Sequence, residues 1–454
     1  MDHKRNKELE DLDRQLIWHP FTQMKDYMKE APLIVQRGEG SYLIDLYGKK
    51  YLDGTSSLWV TLHGHRKKEI DDAIRDQLER VAHSTLLGIS NVPAVELAEE
   101  LVEIAPAGLR KVFYSDSGST AVEIAIKIAF QFWKQNGNGR SKPTFLSFTN
   151  AYHGDTIGSV SLGGIDLFHE IYGPLLFPVY RAPYPYCYRC PLEKSTPSCG
   201  MECLNEVEGI LSVHHEEIAA LVIEPMIQGA AGMIPSPRGY LKGIRELTKK
   251  YHVLLIADEV ATGFGRTGRM FACEHEAISP DILCLAKVIT GGYLPLAATL
   301  TAEEIFNAFL GEYEEKKTFF HGHSYTGNPL ACAAAVANLK VMKEERVLEK
   351  LQGKIQFLSE ALKGYGDLEH VGDIRHLGMM VGIELVADKT TKEEYPLVDK
   401  IGIRVIKEAR RRGLILRPLG NVIVLMPPLG ISLDELSEVL STTYHSIKTV
   451  TEDG

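Results

Sequence analysis

A series of short, continuously apolar segments most constrains what this chain can fold into. Five of them lie at residues 144–148, 219–223, 253–257, 282–286 and 296–300, and helical patterns separate most of them. Strands that are apolar along their whole length are buried on both faces, and helices between them act as crossovers that make neighbouring strands parallel. The sequence therefore predicts an α/β fold with a mostly parallel sheet.

The two ends of the chain have a different pattern of predicted helices and strands from this central region. The first fifty or so residues mix short extended runs with turns, whereas a long helical pattern at 347–364 precedes a strand-like run at 379–385. A chain of 454 residues can bury more than one core. We predict an N-terminal segment, 1–67, that packs with a small α+β domain, 335–454. A large domain, 68–334, lies between them in the sequence.

The composition argues against several functional classes. The formal net charge is −10 and no basic stripe stands out, which disfavours a nucleic-acid partner. No apolar run is long enough to span a bilayer, and the polar residues 1–8 contain no apolar signal core. Seven cysteines, an odd number, fit a reducing compartment better than a disulfide framework. We expect a cytoplasmic protein that acts on small molecules.

Four of the cysteines form a cluster in a segment that we expect to be an irregular surface loop. They are spaced C-x2-C-x8-C-x3-C, at Cys187, Cys190, Cys199 and Cys203. Four thiolates could hold zinc or an iron–sulfur cluster. The loop lacks the two-knuckle regularity of such sites, so free thiols are the preferred interpretation and no metal is predicted.

Lys287 has the sequence context that points most directly to chemistry. It follows an apolar run, about thirty residues after Asp258 ends the preceding run. Burial of an ammonium is costly, and it lowers the pKa of a lysine, so that the neutral amine becomes available as a nucleophile. Such a lysine, with an acidic residue at another strand end, suits a Schiff base with pyridoxal phosphate. The alternative is a lysine that extends from the strand end to solvent.

Other polar residues also follow predicted strands. Ser117, Gly118 and Ser119 lie between a strand and a helix, where exposed backbone N–H groups favour an anion, although an ordinary helix cap has the same composition. Tyr152 follows the strand that ends near Phe148 and could stack on a flat heterocycle or simply pack in the core. Open α/β sheets bind ligands at the carboxyl ends of their strands, so we expect these residues to meet.

Three motifs carry a resemblance to a known family. They are Asp258-Glu259-Val260 with Gly263-Phe264-Gly265-Arg266-Thr267-Gly268, Lys287 with Gly291-Gly292, and Gly327-Asn328-Pro329-Leu330-Ala331. In these motifs, and over essentially the whole chain, the sequence resembles the class III aminotransferases of fold type I. The resemblance implies a transaminase that uses pyridoxal 5'-phosphate and has a seven-stranded, mostly parallel sheet in its large domain.

Within that family, three further segments narrow the expected substrate. They are Trp18-His19-Pro20-Phe21-Thr22-Gln23-Met24, Ser56-Ser57-Leu58-Trp59, and Leu416-Arg417-Pro418-Leu419-Gly420 before Met426-Pro427-Pro428. They resemble the branch that converts 8-amino-7-oxononanoate to 7,8-diaminononanoate in biotin biosynthesis. The main alternative is another class III ω-aminotransferase, acting on 4-aminobutyrate, ornithine, β-alanine or a diamine. An aminomutase and a cofactor-free binding protein on the same scaffold are further alternatives.

The resemblance implies roles for the residues singled out above. Lys287 would form the Schiff base with the cofactor and shuttle a proton, and Asp258 would pair with the pyridinium nitrogen. Ser117 and Gly118 would bind the phosphate. Tyr152 would contact both the ring and the substrate.

The resemblance also implies a subunit contact and a substrate pocket. His323 and Ser324 would reach the phosphate from the partner subunit, which makes the expected protein a homodimer with shared active sites. Arg417 would bind the terminal carboxylate of the substrate, since a guanidinium can hold a carboxylate through two hydrogen bonds. A surface ion pair is the alternative for Arg417. The other residues implied to contact substrate are Phe21, Trp59, Tyr152, Lys287 and Gly322.

Two positions bear on the amino donor. Members of this branch that use S-adenosylmethionine typically carry paired tryptophans where this chain has Leu58 and Trp59, and a tyrosine where it has Phe21. The loss of one aromatic face and one hydroxyl changes the surface that would meet a sulfonium and its adenine. A lysine-using branch has a similar pattern here. We therefore expect lysine as the donor, with S-adenosylmethionine as the alternative.

Overall fold

The structure, a computed structural model, describes residues 3–136, 142–196 and 198–453. The helices within these ranges are α1 (His3–Leu16), α2 (Met24–Tyr27), α3 (Ser56–Trp59), α4 (Lys68–Leu78), α5 (Val92–Ile104), α6 (Gly118–Asn136), α7 (Ile157–Leu162), α8 (Asp166–His169), α9 (Glu202–His214), α10 (Tyr240–Lys250), α11 (Glu303–Asn307), α12 (Pro329–Glu344), α13 (Val347–Leu362), α14 (Ile401–Arg411) and α15 (Leu433–Thr451). The strands within them are β1 (Val35–Glu39), β2 (Tyr42–Asp45), β3 (Lys50–Asp53), β4 (Leu109–Ser115), β5 (Thr144–Phe148), β6 (Tyr180–Ala182), β7 (Ile218–Ile223), β8 (Ile227–Gln228), β9 (Ile234–Pro235), β10 (Leu254–Asp258), β11 (Ile282–Leu285), β12 (Ala297–Ala302), β13 (Val371–Leu377), β14 (Met380–Asp388), β15 (Glu393–Glu394), β16 (Leu414–Ile415), β17 (Arg417–Leu419) and β18 (Val422–Leu425).

The large sheet confirms the predicted α/β fold. Among the described residues it has seven strands, in the order β4-β12-β11-β10-β7-β5-β6. β12 is antiparallel to both of its neighbours, whereas the other neighbouring pairs are parallel. The connection from β11 to β12 contains no crossover helix, which parallel strands require. Because β12 alone is reversed in this part of the chain, the carboxyl ends of the other six strands lie at one edge.

The five apolar segments all form strands of this sheet, with bounds within two residues of those predicted. β7 and β11 are buried along their whole length, as strands covered on both faces must be. Helix α6 packs against the sheet. Its buried residues include Ala121, Ile124, Ala125, Ile128 and Ala129, which recur at helical spacing.

Strands from the two ends of the chain share a small sheet. In the order β1-β2-β3-β16, β3 pairs in parallel with β16. β13, β14, β18 and β17 form a second small sheet, and β15 pairs with β14. The N-terminal strands therefore lie beside the C-terminal region. The domain bounds 1–67, 68–334 and 335–454 stay predictions.

Arg266 is fully buried and ties the loop after β10 to both ends of the chain. Its Nη1 donates to the carbonyl of Pro427 (2.7 Å) and its Nη2 to the carbonyl of Thr61 (2.9 Å). Burial lowers the pKa of Arg266 to about 9. A buried guanidinium needs such acceptors, so these contacts hold the loop that leads away from Asp258.

Membrane-spanning helices and clustered metal ligands are both absent from the described part of the chain. None of its helices is both long and apolar enough to cross a bilayer. Among the same residues, no three His, Cys, Asp or Glu side chains are grouped as the ligands of one metal ion.

Candidate active site

The carboxyl ends of the parallel strands enclose a cavity of about 140 Å³. Asp258 ends β10 and lies opposite Cys284 of the parallel strand β11, and Lys287 follows two residues after β11 ends. Tyr152 and Glu224 follow β5 and β7. The lining residues are Trp59, Ser117, Gly118, Ser119, Tyr152, His153, Gly154, Glu224, Ala230, Asp258, Val260, Ala261 and Lys287. The residues predicted to meet at this edge of the sheet thus do so.

Lys287 faces the cavity in a strongly desolvated position. Burial lowers the pKa of its ammonium, and the negative charges of Asp258 and Glu224 oppose this effect. Its Nζ lies 5.5 Å from the centroid of the Trp59 ring, which favours a cation there. The backbone of Lys287 has a φ of +48°, in the left-handed region that costs a side-chain-bearing residue roughly 1 kcal/mol. Strained backbone of this kind is common at functional sites.

Asp258 is held by a histidine to which the sequence had given no role. The Nδ1 of His153 lies 2.7 Å from Oδ2 of Asp258, and both side chains are buried. Oδ1 of Asp258 accepts a hydrogen bond from the Val260 N–H (3.1 Å). The Nε2 of His153 is buried and has no partner among the described residues. The only sequence signal for His153 is its position beside Tyr152 after a strand.

Glu224 is a second buried carboxyl group in the cavity wall. Its oxygens accept hydrogen bonds from the backbone N–H groups of Tyr152 (3.1 Å) and Gly229 (2.9 Å). Burial outweighs these bonds and raises the pKa of Glu224 to about 7. In the sequence, Glu224 directly follows the apolar run at 219–223. A carboxyl group with this pKa can carry or release a proton near neutral pH.

The amino end of α6 carries the residues of the predicted anion site. Ser117 precedes this 19-residue helix, and its side chain is exposed. Its Oγ lies 3.2 Å from the Thr120 hydroxyl. A Cβ on Gly118 would lie 2.5 Å from Cγ1 of Val260, so a larger residue could not approach the loop after β10 so closely. Free N–H groups and the helix dipole at this end favour a phosphate.

Tyr152 is fixed by neighbours on both sides. Its hydroxyl donates to Oδ2 of Asp155 (2.8 Å), and its ring lies nearly parallel to that of His169, with centroids 6.3 Å apart. Phe168 meets the same tyrosine edge-on at 6.3 Å. Burial raises the pKa of Tyr152 well above its ordinary value, so the hydroxyl stays protonated.

Arg417 lies near Tyr152 but outside the residues that line the cavity. Its guanidinium carbon lies 5.7 Å from the Phe21 ring centroid, and Phe21 in turn contacts Phe168 edge-on at 5.4 Å. Burial lowers the pKa of Arg417, and the Tyr152 hydroxyl is an ionisable neighbour. No carboxylate in the described part of the chain forms the alternative surface ion pair. The guanidinium is thus available to an anionic ligand.

The residues expected to reach the phosphate from a partner lie outside the cavity lining. Ser324 is exposed, as is Gly322, which was instead expected to contact substrate. The Nδ1 of His323 lies 2.7 Å from Oδ2 of Asp116, the residue before Ser117. This contact brings the His323 loop beside the anion site within one chain. Its contribution to a partner's site stays a prediction.

Comparison with known proteins places this site in a family. The family model for class-III aminotransferases matches residues 24–447. A protein of Geobacter sulfurreducens named adenosylmethionine-8-amino-7-oxononanoate aminotransferase is 56% identical over 444 residues, 98% of each chain. A protein of the same name from Nitratidesulfovibrio vulgaris is 58% identical over 99% of this chain and 83% of its own length.

Solved structures agree with this assignment. The crystal structure of the adenosylmethionine-8-amino-7-oxononanoate aminotransferase of Methanocaldococcus jannaschii is 50% identical, covers 98% of this chain and 99% of its own, and superposes with a TM-score of 0.93. A thermostable (S)-enantioselective omega-transaminase from Thermomicrobium roseum is 36% identical at the same TM-score and coverage. These matches confirm the resemblance that the motifs carried and the fold type I architecture. The chain belongs to the class-III aminotransferases.

Proposed function

We propose that this chain is a pyridoxal-phosphate-dependent aminotransferase that converts 8-amino-7-oxononanoate to 7,8-diaminononanoate in biotin biosynthesis. The observation that carries the proposal is the desolvated Lys287 facing the same cavity as the buried Asp258. A nucleophilic amine and an acid that can hold a ring N–H are what the cofactor requires. The names of the relatives at 56–58% identity support the substrate.

The cavity fits this cofactor in the chemistry of its donors. The anion site at Ser117 and Gly118 suits the phosphate, and the carboxylate of Asp258 suits a protonated pyridine nitrogen. Tyr152 and Val260 offer flat or apolar surface to a ring. When bound, pyridoxal phosphate supplies an aldehyde that takes up an amino group and a ring that stabilises negative charge at the reacting carbon.

The chain's own residues then have separate tasks. The lowered pKa of Lys287 lets its Nζ accept a proton from one carbon and return it to another. Asp258, held by His153, keeps a proton on the ring nitrogen. Tyr152 is oriented through Asp155 to border the substrate.

The surroundings of Arg417 suit a long substrate with a carboxylate at its far end. The guanidinium lies beside the Phe21 ring, and Tyr152, which lines the cavity, is close enough to affect its protonation. A half-buried guanidinium binds a carboxylate more strongly than an exposed one because fewer water molecules compete. We assign Arg417 to the terminal carboxylate and Phe21 and Trp59 to the apolar chain.

For the amino donor we propose S-adenosylmethionine. The relatives carry adenosylmethionine in their names, whereas the expectation of lysine rests on Phe21 and Leu58 alone. Both side chains are about half exposed, so they could contact a bound donor. Lysine is the alternative that the experiment below distinguishes.

The test uses half-reactions of the purified, cofactor-loaded enzyme. S-adenosylmethionine should convert the cofactor and remove its visible absorbance, and 8-amino-7-oxononanoate should restore it. Lysine in place of S-adenosylmethionine separates the two donors. Restoration by 2-oxoglutarate or pyruvate but not by 8-amino-7-oxononanoate would instead indicate another ω-aminotransferase.

We further propose that the enzyme is a homodimer with shared active sites. Large apolar side chains are exposed in the single chain, among them Leu87 (89%) and Phe320 (79%). A subunit interface would cover such side chains, since exposed apolar patches mark protein–protein contacts. Light scattering should give twice the chain mass of 50.5 kDa. Complementation between Lys287→Ala and Ser324→Ala chains would test whether partners share a site.

A further inference from the structure

The four clustered cysteines line a second cavity, which shares no lining residue with the active-site cavity. It measures about 330 Å³, and most of its lining comes from the segment that joins β6 to α9. All four thiols are free, and no three of them are grouped as ligands of one ion among the described residues. We therefore consider a reaction that involves two of these thiols.

The four thiols differ in accessibility. Cys187 is exposed, Cys190 and Cys199 are partly exposed, and Cys203 is buried. Burial and the neighbouring thiols Cys187 and Cys199 raise the pKa of Cys203 to about 11, which keeps it protonated and unreactive. An oxidant from solvent would therefore meet Cys187 first.

Cys187 and Cys190 are the two ends of a tight turn. Tyr188 and Arg189 between them have turn conformation. The ends of a β-turn lie less than about 7 Å apart, and a disulfide spans Cα separations of about 4.4–6.8 Å. The backbone thus already holds this pair at a separation that a disulfide can bridge.

The turn carries an arginine that belongs to a buried ion network. The Nε of Arg189 lies 2.6 Å from Oε1 of Glu384 on β14, and the Tyr186 hydroxyl donates to the same carboxylate. Nη1 of Arg375 lies 2.6 Å from Oε2 of Glu384, and its Nε donates to the carbonyl of Gly232 (2.8 Å). A change in the backbone of the turn would move Arg189 relative to Glu384.

The network ends at the wall of the active-site cavity. Gly232 closes a turn with Gly229, whose N–H donates to Glu224, and Ala230 between them lines the cavity. Arg375 thus holds the segment that positions Glu224. A path of direct contacts runs from Arg189 to the active site.

We propose that Cys187 and Cys190 form a reversible disulfide whose closure displaces Arg189 from Glu384 and lowers turnover. One cysteine thiolate attacks a low-molecular-weight disulfide and releases one thiol, and the second cysteine then displaces the other thiol. Two protein thiols are oxidised and one small disulfide is reduced to two thiols. A dithiol reductant reverses the exchange.

The experiment treats the cofactor-loaded enzyme with oxidised glutathione and then with dithiothreitol. Free thiols should fall from seven to five per chain, with Cys187 and Cys190 joined in the peptide map, and dithiothreitol should restore seven. Turnover should fall several-fold and recover in parallel. The double variant Cys187→Ser/Cys190→Ser should abolish both responses, whereas Cys332→Ser, at a buried position on α12, should keep them.

Arg189→Gln separates the disulfide from its effect on the active site. This variant should still lose two thiols on oxidation, but its turnover should not change further. The proposal is overturned if no thiol is lost, if another pair is joined, or if the purified enzyme holds stoichiometric zinc on these thiols. Thiol counts and peptide maps need no substrate. They therefore test the disulfide even if the proposed aminotransferase reaction is wrong.

Discussion

Replacement of Glu224 by glutamine should remove a pH-dependent loss of stability. The carboxyl group is 6% exposed, and burial raises its pKa from the ordinary 4.5 to about 7. A group whose pKa is raised on folding contributes stability that is fully present below its unfolded pKa and is lost as pH rises through its folded pKa. The wild-type protein should therefore lose stability as pH rises from about 4.5 to 7. The Glu224→Gln variant has no group that titrates at this position, so it should not show this loss.

The magnitude follows from the two pKa values. Between pH 5 and pH 8, linkage gives about 2.5 kcal/mol of stability that wild type loses and the variant keeps. The unfolding entropy is about 2.1 cal/mol/K per residue, so the Tm of a 454-residue chain falls by about 1 °C for each kcal/mol of stability that is lost. The Tm of wild type relative to the variant should therefore fall by about 2–3 °C from pH 5 to pH 8.

Scanning calorimetry at both pH values, at one ionic strength and one scan rate, measures this difference. A constant offset between the two proteins is expected as well, because the glutamine amide must face one of the N–H groups of Tyr152 and Gly229. Glu206→Gln, at an exposed position on α9, is the matched control and should follow wild type at both pH values. An offset between Glu224→Gln and wild type that is the same at pH 5 and pH 8 would refute the assignment of a near-neutral pKa to Glu224.

Three further predictions, one of them with a control substitution, test the site. Lys287→Ala should abolish both the visible cofactor absorbance and amino transfer while circular dichroism and molecular mass stay unchanged; residual turnover would contradict the assignment. His153→Phe should lower kcat by about tenfold or more by freeing the Asp258 carboxylate, with a shifted cofactor spectrum that a merely structural role would leave in place. Arg417→Met should raise KM for 8-amino-7-oxononanoate by about ten- to a hundredfold with a smaller change in kcat, whereas Phe168→Ala should raise it by only about two- to tenfold; equal effects would argue against a carboxylate at Arg417.

The sheet and its catalytic edge could be predicted because both follow from local patterns. A strand buried on both faces must be apolar along its length, and a polar residue at its end is therefore conspicuous. Asp258, Glu224 and Lys287 stand out in this way. The reversal of β12 was not predicted, since an apolar run has the same composition in either direction and only the short connection after β11 decides it.

What the sequence by itself determined about this protein is the fold class and the two residues most suited to the chemistry, Lys287 and Asp258. Only the tertiary structure decided which side chains meet them. His153 reaches Asp258 across 105 positions of sequence, and Arg189 joins the cysteine turn to Glu384 across 195. Periodicity reports which face of an element is buried, but pairing between distant elements depends on how the elements pack, and no local pattern encodes that.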